Sequence, residues 1–567
     1  MKALAFGAWA VVLIEAAHRN SLRKTYKWIK AGFGSFLCNI MAFASLSLIF
    51  AAITNNLFAS CLIVFVIWFA ISALSFFKYA ARNEPAYFSD VLLVFKVMGV
   101  ADSSNFVITR QLVISLAAGL AGLAALFVFR PRPCEWRGRV IMAVLSVIVL
   151  VLLAFQKKND FSYNKKGLIC GLYLNILLYF KKPEAKPPAN PGVIRAIKEP
   201  DKKEGLIRPN VIAVLSESFF DITRIEGLKL SGEPLPFFKS MREKSLTGTL
   251  LVTPLGGGTC AVEAEFLTGA VGRHFNITKP FYFSAAEKPI PSLATLFKER
   301  GYETCGLHTF SKYFYKRDNA LKNMGFDEFY GLEDLKNPEI DGYYVSDKEL
   351  TNMIEERFKR KKGKAFIFGI SMENHQPYKA GKYKDVPISV QNAGLGGKLT
   401  GAVEAYVNGL THADRELKRL VDFIQKQEEP TVLLFFGDHL GALGPELDFY
   451  KKIGYISDDG LKNQDIVKLY SPDFFIWSNF KKFNGRHENI GANFLPKLLL
   501  DCVGGEKAGL FSSLDWLYDY VRCISREDVF IDSKSKIYNS LPDSLKKIEQ
   551  QFMYEEFKAM NILKKDN

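Results

Sequence analysis

The chain has 567 residues, 49% of them apolar and 23% charged, with a formal charge of +15. That composition excludes a disordered, collagen-like or coiled-coil protein, and the length calls for at least two folding units. Eight dispersed cysteines (Cys38, Cys61, Cys134, Cys170, Cys260, Cys305, Cys502, Cys523) form no C-x-x-C pair, which argues against a disulfide framework or a zinc knuckle.

Residues 1–155 are mostly apolar and predict about five membrane-spanning helices. Gly34–Ile53 and Leu57–Phe77 carry no charge over spanning length, and Gln111–Phe129 and Val140–Phe155 are similar. A bilayer core needs about 20 such residues. Ala3–Ala17 contains Glu15 and reads as a first, short span rather than a signal peptide, because no small-residue cleavage site follows. Arg19, Arg23, Lys24, Lys27 and Lys30 load the first loop, and Arg130, Arg132, Arg137 and Arg139 load the fourth. With five spans these loops lie on opposite sides, so the Lys/Arg bias leaves the orientation open. Gly167–Phe180, a further apolar stretch, reads as an interfacial helix at that length. Part of the positive charge belongs to loops facing anionic lipid head groups. Nucleic-acid binding is not expected, since neither a zinc-finger nor an RNP motif is present.

Residues 156–206 predict the interfacial helix and a linker. Lys181–Asn210, with six prolines among many charges, reads as a semi-rigid solvated tether. A second folding unit begins near Pro209. There Val211–Leu215, Ala365–Ile370 and Thr431–Phe436 are continuous apolar runs, as expected of strands covered on both faces. Ala402–Gln427 places Val403, Tyr406, Leu410, Ala413, Leu417, Leu420, Val421 and Ile424 on one helical stripe. Strand–helix alternation over residues 207–503 predicts an α/β domain with a mainly parallel central sheet flanked by helices. Residues 504–567, with the amphipathic stretch Leu541–Leu563, predict a helical extension packed on it.

Ligands of such folds sit beyond the carboxyl ends of the strands. One run ends at Glu217, a second at His375, a third at Asp438 and His439. Carboxylate oxygen and neutral imidazole nitrogen are ligands of divalent cations, although a single carboxylate after a strand is more often a helix cap. Gly256-Gly257-Gly258-Thr259-Cys260 reads as a loop entering a helix, where backbone N–H groups favour an anion. Thr259 is the nucleophile candidate if a metal lowers its pKa. An ion pair with Asp318 or another nearby acid is the ordinary role for Arg317. Glu263 and Glu265 read as helix acids complementing the dipole. His308 follows a possible strand at Glu303–Leu307 and reads as lying near the pocket, behind the contacting residues. His274, His412 and His487 show no ligand spacing.

The segments N-V-I-A-V-L-S-E-S-F-F-D, G-G-G-T-C-A-V-E-A-E-F-L-T-G, F-Y-K-R-D, M-E-N-H-Q-P-Y and F-F-G-D-H, in this order, resemble the lipoteichoic acid synthase branch of the sulfatase and alkaline phosphatase superfamily. The resemblance covers residues 207–500. It implies a multi-pass cell-membrane enzyme with an extracytoplasmic sulfatase-like domain. It also implies transfer of phosphoglycerol from phosphatidylglycerol to a cell-envelope glycolipid or glycan through a phosphothreonine. By matching motif, Glu217, Thr259, Asp438 and His439 would hold one divalent ion, Mn2+ by the resemblance, with Mg2+ or Zn2+ compatible. Arg317 and His375 would bind the phosphoryl group or steady the leaving oxygen. Tyr315 stands where the family often has tryptophan, lining the glycerol pocket, and G-G-G-T replaces G-K-T, so the head group is less firmly implied than the reaction. Alternatives are a phosphoethanolamine transferase and a hydrolase of phosphate or sulfate esters. A formylglycine route through Cys260 is disfavoured because C-x-P-x-R is lacking.

Overall fold

The computed structural model describes residues 2–82, 84–97, 108–128, 135–155, 163–180, 208–275, 281–458, 461–483, 487–525 and 528–561. The chain divides into two compact units, residues 1–181 and 182–567. Most of the expected tether (181–207), and Arg130, Arg132 and Cys134, lie outside the described residues.

The first unit is helical. Among the described residues, three helices are long and apolar enough to cross a membrane: Phe33–Thr54, Leu57–Tyr79 and Trp136–Ala154. Helices also form at the other two expected positions, Lys2–His18 and Arg110–Val128. The basic first loop is itself a helix, Leu22–Ala31, opened by the Ser21 side chain accepting from the Lys24 N–H at 3.2 Å. Leu168–Tyr179 has twelve residues, about 18 Å at the helical rise, so it is too short to span. Its first turn is buried in the unit rather than laid on a surface. Glu15 accepts from Leu168 N at 2.5 Å and Asn39 accepts from Cys170 N at 3.0 Å, satisfying N–H groups that have no partner within the helix. That accounts for a carboxylate inside an apolar segment.

The second unit is built on one eight-stranded sheet: β1 Asn210–Ser216, β2 Leu246–Leu251, β3 Glu303–His308, β4 Glu328–Tyr330, β5 Ala365–Ile370, β6 Thr431–Gly437, β7 Asp473–Ser478 and β8 His487–Gly491. The spatial order is β8-β2-β7-β6-β1-β5-β3-β4. All pairings are parallel except those of β7 with β2 and with β6. The central strands are buried at every residue, as their unbroken apolar runs require. The stripe read at residues 402–427 is the Gly397–Gln425 helix.

Register decides where the chemistry collects. Leu215 pairs with Ile370, Ile370 with His308, and Ser216 with Gly437. The chain therefore leaves β1, β3, β5 and β6 at one level, and the residues that follow share one edge of the sheet.

The C-terminal residues correct the expectation of a purely helical extension. Helices Leu510–Tyr518 and Asp543–Ala559 form, but between them lies a three-stranded antiparallel sheet of Val521–Ile524, Phe530–Asp532 and Ile537–Tyr538. Strands of two to four residues are too short to establish a period in sequence.

Candidate active site

At the end of β1 the chain turns through Ser218, whose φ of 55° lies in the left-handed region. The turn is held by Ser218 N donating to Asp438 Oδ1 at 2.8 Å and by Ser218 Oγ donating to Glu217 Oε1 at 2.8 Å. Glu217, Asp438 and His439 are buried, and each offers one ligand atom within 4.8 Å of the others. His439 Nδ1 faces the Leu440 carbonyl at 3.1 Å, which places the proton on Nδ1 and a lone pair on Nε2. That Nε2 lies 3.1 Å from Asp438 Oδ2 and 3.7 Å from Glu217 Oε1. Three buried acceptors converging at this spacing repel unless a cation lies among them. The donor set of two carboxylates and one oriented imidazole thus fits a divalent ion.

Thr259 opens the Thr259–Thr268 helix and is itself buried. The preceding Gly256, Gly257 and Gly258 have φ of 64°, 135° and 99°, a path closed to other residues without strain. Gly256 N donates to Leu440 O at 3.1 Å, tying the Thr259 loop to the residue after His439. On the other side Gln376 Nε2 donates to Gly256 O at 3.3 Å, bringing the His375 segment against the same loop.

Arg317 is buried and joined to the Thr259 helix. Its Nε and Nη2 donate to the carboxylate of Glu263, Nη2 to Oε1 at 2.6 Å, and Tyr282 Oη donates to Glu263 Oε2 at 2.7 Å. Glu263 does more than complement the helix dipole, the role its place in the first turns suggested. It is the partner that fixes the plane of Arg317, and the neighbouring Asp318 is not. Although burial opposes the guanidinium, Glu263 holds its pKa above the usual arginine range. Two consecutive non-glycine residues with positive φ, Tyr315 and Lys316 at 57°, precede it. Tyr315 is buried with its ring 5.1 Å from the Arg317 guanidinium.

His375 is half-buried. Its Nδ1 lies 2.7 Å from Gln376 O and 3.2 Å from Tyr344 Oη. Donation from Nδ1 to the carbonyl leaves the lone pair on Nε2.

His308 is placed more centrally than its sequence position suggested. It ends β3, Nδ1 faces Ile370 O at 3.1 Å, and Nε2 is buried without a hydrogen-bond partner among the described residues. Burial, reinforced by Arg317, pushes its pKa well below the usual histidine value, so it stands as a neutral acceptor. Its position at a strand end was the only signal available in the sequence.

The remaining histidines of the second unit divide. His487 is exposed on β8. His274 is ion-paired with Glu556 at 2.7 Å. His412 Nδ1 lies 2.7 Å from Glu373 Oε1 and 3.3 Å from Asp341 Oδ2, a second group of ligand type that no spacing in the sequence announced.

The Sulfatase family model matches residues 209–505. The chain is 31% identical over 331 residues to a putative cyclic beta-1,2-glucan modification protein of Rhizobium meliloti, covering 56% of this chain and 49% of that one. It is 26% identical over 152 residues to lipoteichoic acid synthase of Staphylococcus saprophyticus, covering 26% of this chain and 23% of that one. The chain thus spans half or less of the length of these curated relatives. Among solved structures, the Streptococcus pyogenes phosphoglycerol transferase GacH in complex with sn-glycerol-1-phosphate superposes with a TM-score of 0.51 at 22% identity, covering 64% of this chain and 88% of that one. At that identity the likeness is one of fold.

Proposed function

Because the chain belongs to the Sulfatase family, we propose that it is a membrane-anchored, metal-dependent phosphotransferase. It moves a phosphoglycerol-type head group from phosphatidylglycerol or a related phospholipid to a cell-envelope glycan or glycolipid, with the catalytic unit outside the cytoplasm. The observation that carries this reading is the convergence of Glu217, Asp438 and His439 beside the loop that delivers Thr259. The similarity to a lipoteichoic acid synthase and to a glucan modification protein supports, respectively, the phosphoglycerol donor and the glycan acceptor.

Glu217, Asp438 and His439, with the Thr259 hydroxyl, would hold the ion. A divalent cation there supplies the positive charge that acidifies an alcohol and neutralises a phosphate oxygen. The side chains do the rest. Thr259 Oγ, having released its proton to solvent, attacks the donor phosphorus, and the bond from phosphorus to the diacylglycerol oxygen breaks. Arg317, its plane set by Glu263, presents its remaining nitrogen to the non-bridging oxygens. His375 Nε2 gives a proton to the departing oxygen, then takes one from the acceptor hydroxyl that attacks the phosphothreonine, whose bond from phosphorus to Thr259 Oγ breaks and frees the threonine oxygen. His308 Nε2 offers its lone pair to a head-group hydroxyl, and Tyr315 lines the head-group pocket.

The test is to incubate the full-length protein with head-group-labelled phosphatidylglycerol and weigh the peptide containing Thr259. Labelled glycerol phosphate on Thr259, absent from Thr259→Ala with the fold intact, is the expected result. Donor cleavage by Thr259→Ala at the wild-type rate would overturn the mechanism, and a different captured group would overturn the head-group assignment.

A further inference from the structure

Residues 373–376 form no helix or strand, yet each of their four carbonyl groups accepts from a side chain. Glu373 O accepts from Lys382 Nζ at 3.1 Å and Tyr383 Oη at 3.0 Å. Asn374 O accepts from Tyr378 Oη at 2.8 Å, and His375 O accepts from Lys382 Nζ at 2.8 Å. Gln376 O accepts from Tyr344 Oη at 2.9 Å. Lys382 alone bridges two of these carbonyls and carries the one formal charge among these donors. Its ammonium is buried between the rings of Tyr378 and Tyr383, at 5.2 and 4.8 Å from their centroids.

Taking an ammonium out of water costs several kcal/mol unless hydrogen bonds satisfy its protons, and the Glu373 and His375 carbonyls supply such bonds here. Burial pushes the Lys382 pKa down to about 7, while Glu373, Glu217, Asp347 and Asp341 act in the opposite sense. Asp341 and Glu373 of the second group of ligand type therefore act electrostatically on a lysine of the chain itself. Both Glu373 oxygens are also committed, Oε1 to His412 Nδ1 at 2.7 Å and Oε2 to Asp347 N at 2.7 Å.

We propose that Lys382 is a positioning residue for His375, clamping the backbone on both sides of Asn374 so that the imidazole meets the oxygen leaving the donor phosphorus. This role rests on the assignment of His375 as proton donor. Lys382 does not touch the substrate, and it acts through the backbone that carries the imidazole.

The experiment compares two phosphodiesters on the metal-loaded full-length protein. An alkyl diester such as phosphatidylglycerol loses a poor leaving group that needs a proton, whereas bis(p-nitrophenyl) phosphate loses an aryl oxide that does not. In Lys382→Met the ratio of alkyl to aryl kcat falls about tenfold or more with KM for the alkyl donor nearly constant, a fraction of the 10^2 to 10^4 that general acid catalysis supplies. Combined with His375→Ala, Lys382→Met produces no further fall in that ratio. Lys382→Gln keeps a donor at this position and recovers part of the ratio, and it serves as the probe if the methionine variant fails to fold. An equal loss on both diesters in Lys382→Met, or a further fall in the ratio on the His375→Ala background, overturns the positioning role. An unchanged ratio in His375→Ala alone instead overturns the assignment of His375.

Discussion

At the scale of single residues, the second unit is held by buried charges whose partners come from distant parts of the chain. His274 is the clearest case. Burial works against its imidazolium, but the carboxylate of Glu556, with Glu549 beyond it, outweighs burial and raises its pKa to about 9. The unfolded chain binds that proton with a pKa near 6.5, so the folded state takes up more protons between the two values. The stabilisation is fully present below about pH 6.5 and is lost as pH rises through about 9. Melting of the second unit is expected to shift to lower temperature over that window in the wild type and to flatten in His274→Gln, read by calorimetry across a pH series. An unchanged slope in the variant would show that His274 is not the titrating group. The fixing of Arg317 by Glu263 follows the same logic. Their 54-residue separation in sequence hid the pair, leaving Glu263 to be read from its own helix alone.

At the scale of elements, the Gly397–Gln425 helix is the platform under the site. Tyr406 Oη donates to Ser218 O at 2.7 Å, next to Glu217, and His412 meets Glu373 from the same helix. Glycine costs a helix interior about 1 kcal/mol relative to alanine, yet Gly409 sits at its centre. A Cβ there would lie 2.0 Å from Asn374 Oδ1 and 2.8 Å from Tyr383 Oη, so the His375 segment rests directly on the helix backbone. Gly409→Ala is therefore expected to destabilise the second unit by about 1–3 kcal/mol despite the better helix former, and to lower turnover by displacing His375. Gly397→Ala, which meets nothing within 4 Å, is the control and should be neutral or slightly stabilising in the same denaturant titration. The apolar stripe of this helix was legible in the sequence because a 3.6-residue period is a local property. Which glycine faced which loop was not, because close approach is a property of two surfaces.

At the scale of the whole molecule, a helical unit with helices long and apolar enough to cross a membrane is joined to an α/β unit that carries the candidate metal ligands, and the two are expected to respond differently to metal. A cation bound by the native state stabilises it by about 2.7 kcal/mol at a hundredfold excess over the dissociation constant. In the detergent-solubilised chain, chelation should lower the melting temperature of the second unit alone. Readdition of Mn2+ should restore it, and Asp438→Asn should make melting insensitive to both; a wild-type transition indifferent to chelator would count against the ion. The sequence alone determined the apolar windows, the buried strands and the positions of Glu217, Thr259, His375, Asp438 and His439 near strand ends, because length, period and turn composition are written in neighbouring residues. Only the tertiary structure decided that β1, β3, β5 and β6 end at one level, that Glu263 steadies Arg317, that His308 is a neutral acceptor, and that Lys382 lies beneath His375. Those facts depend on sheet register and on burial, which raise or lower a charge according to what the fold brings beside it.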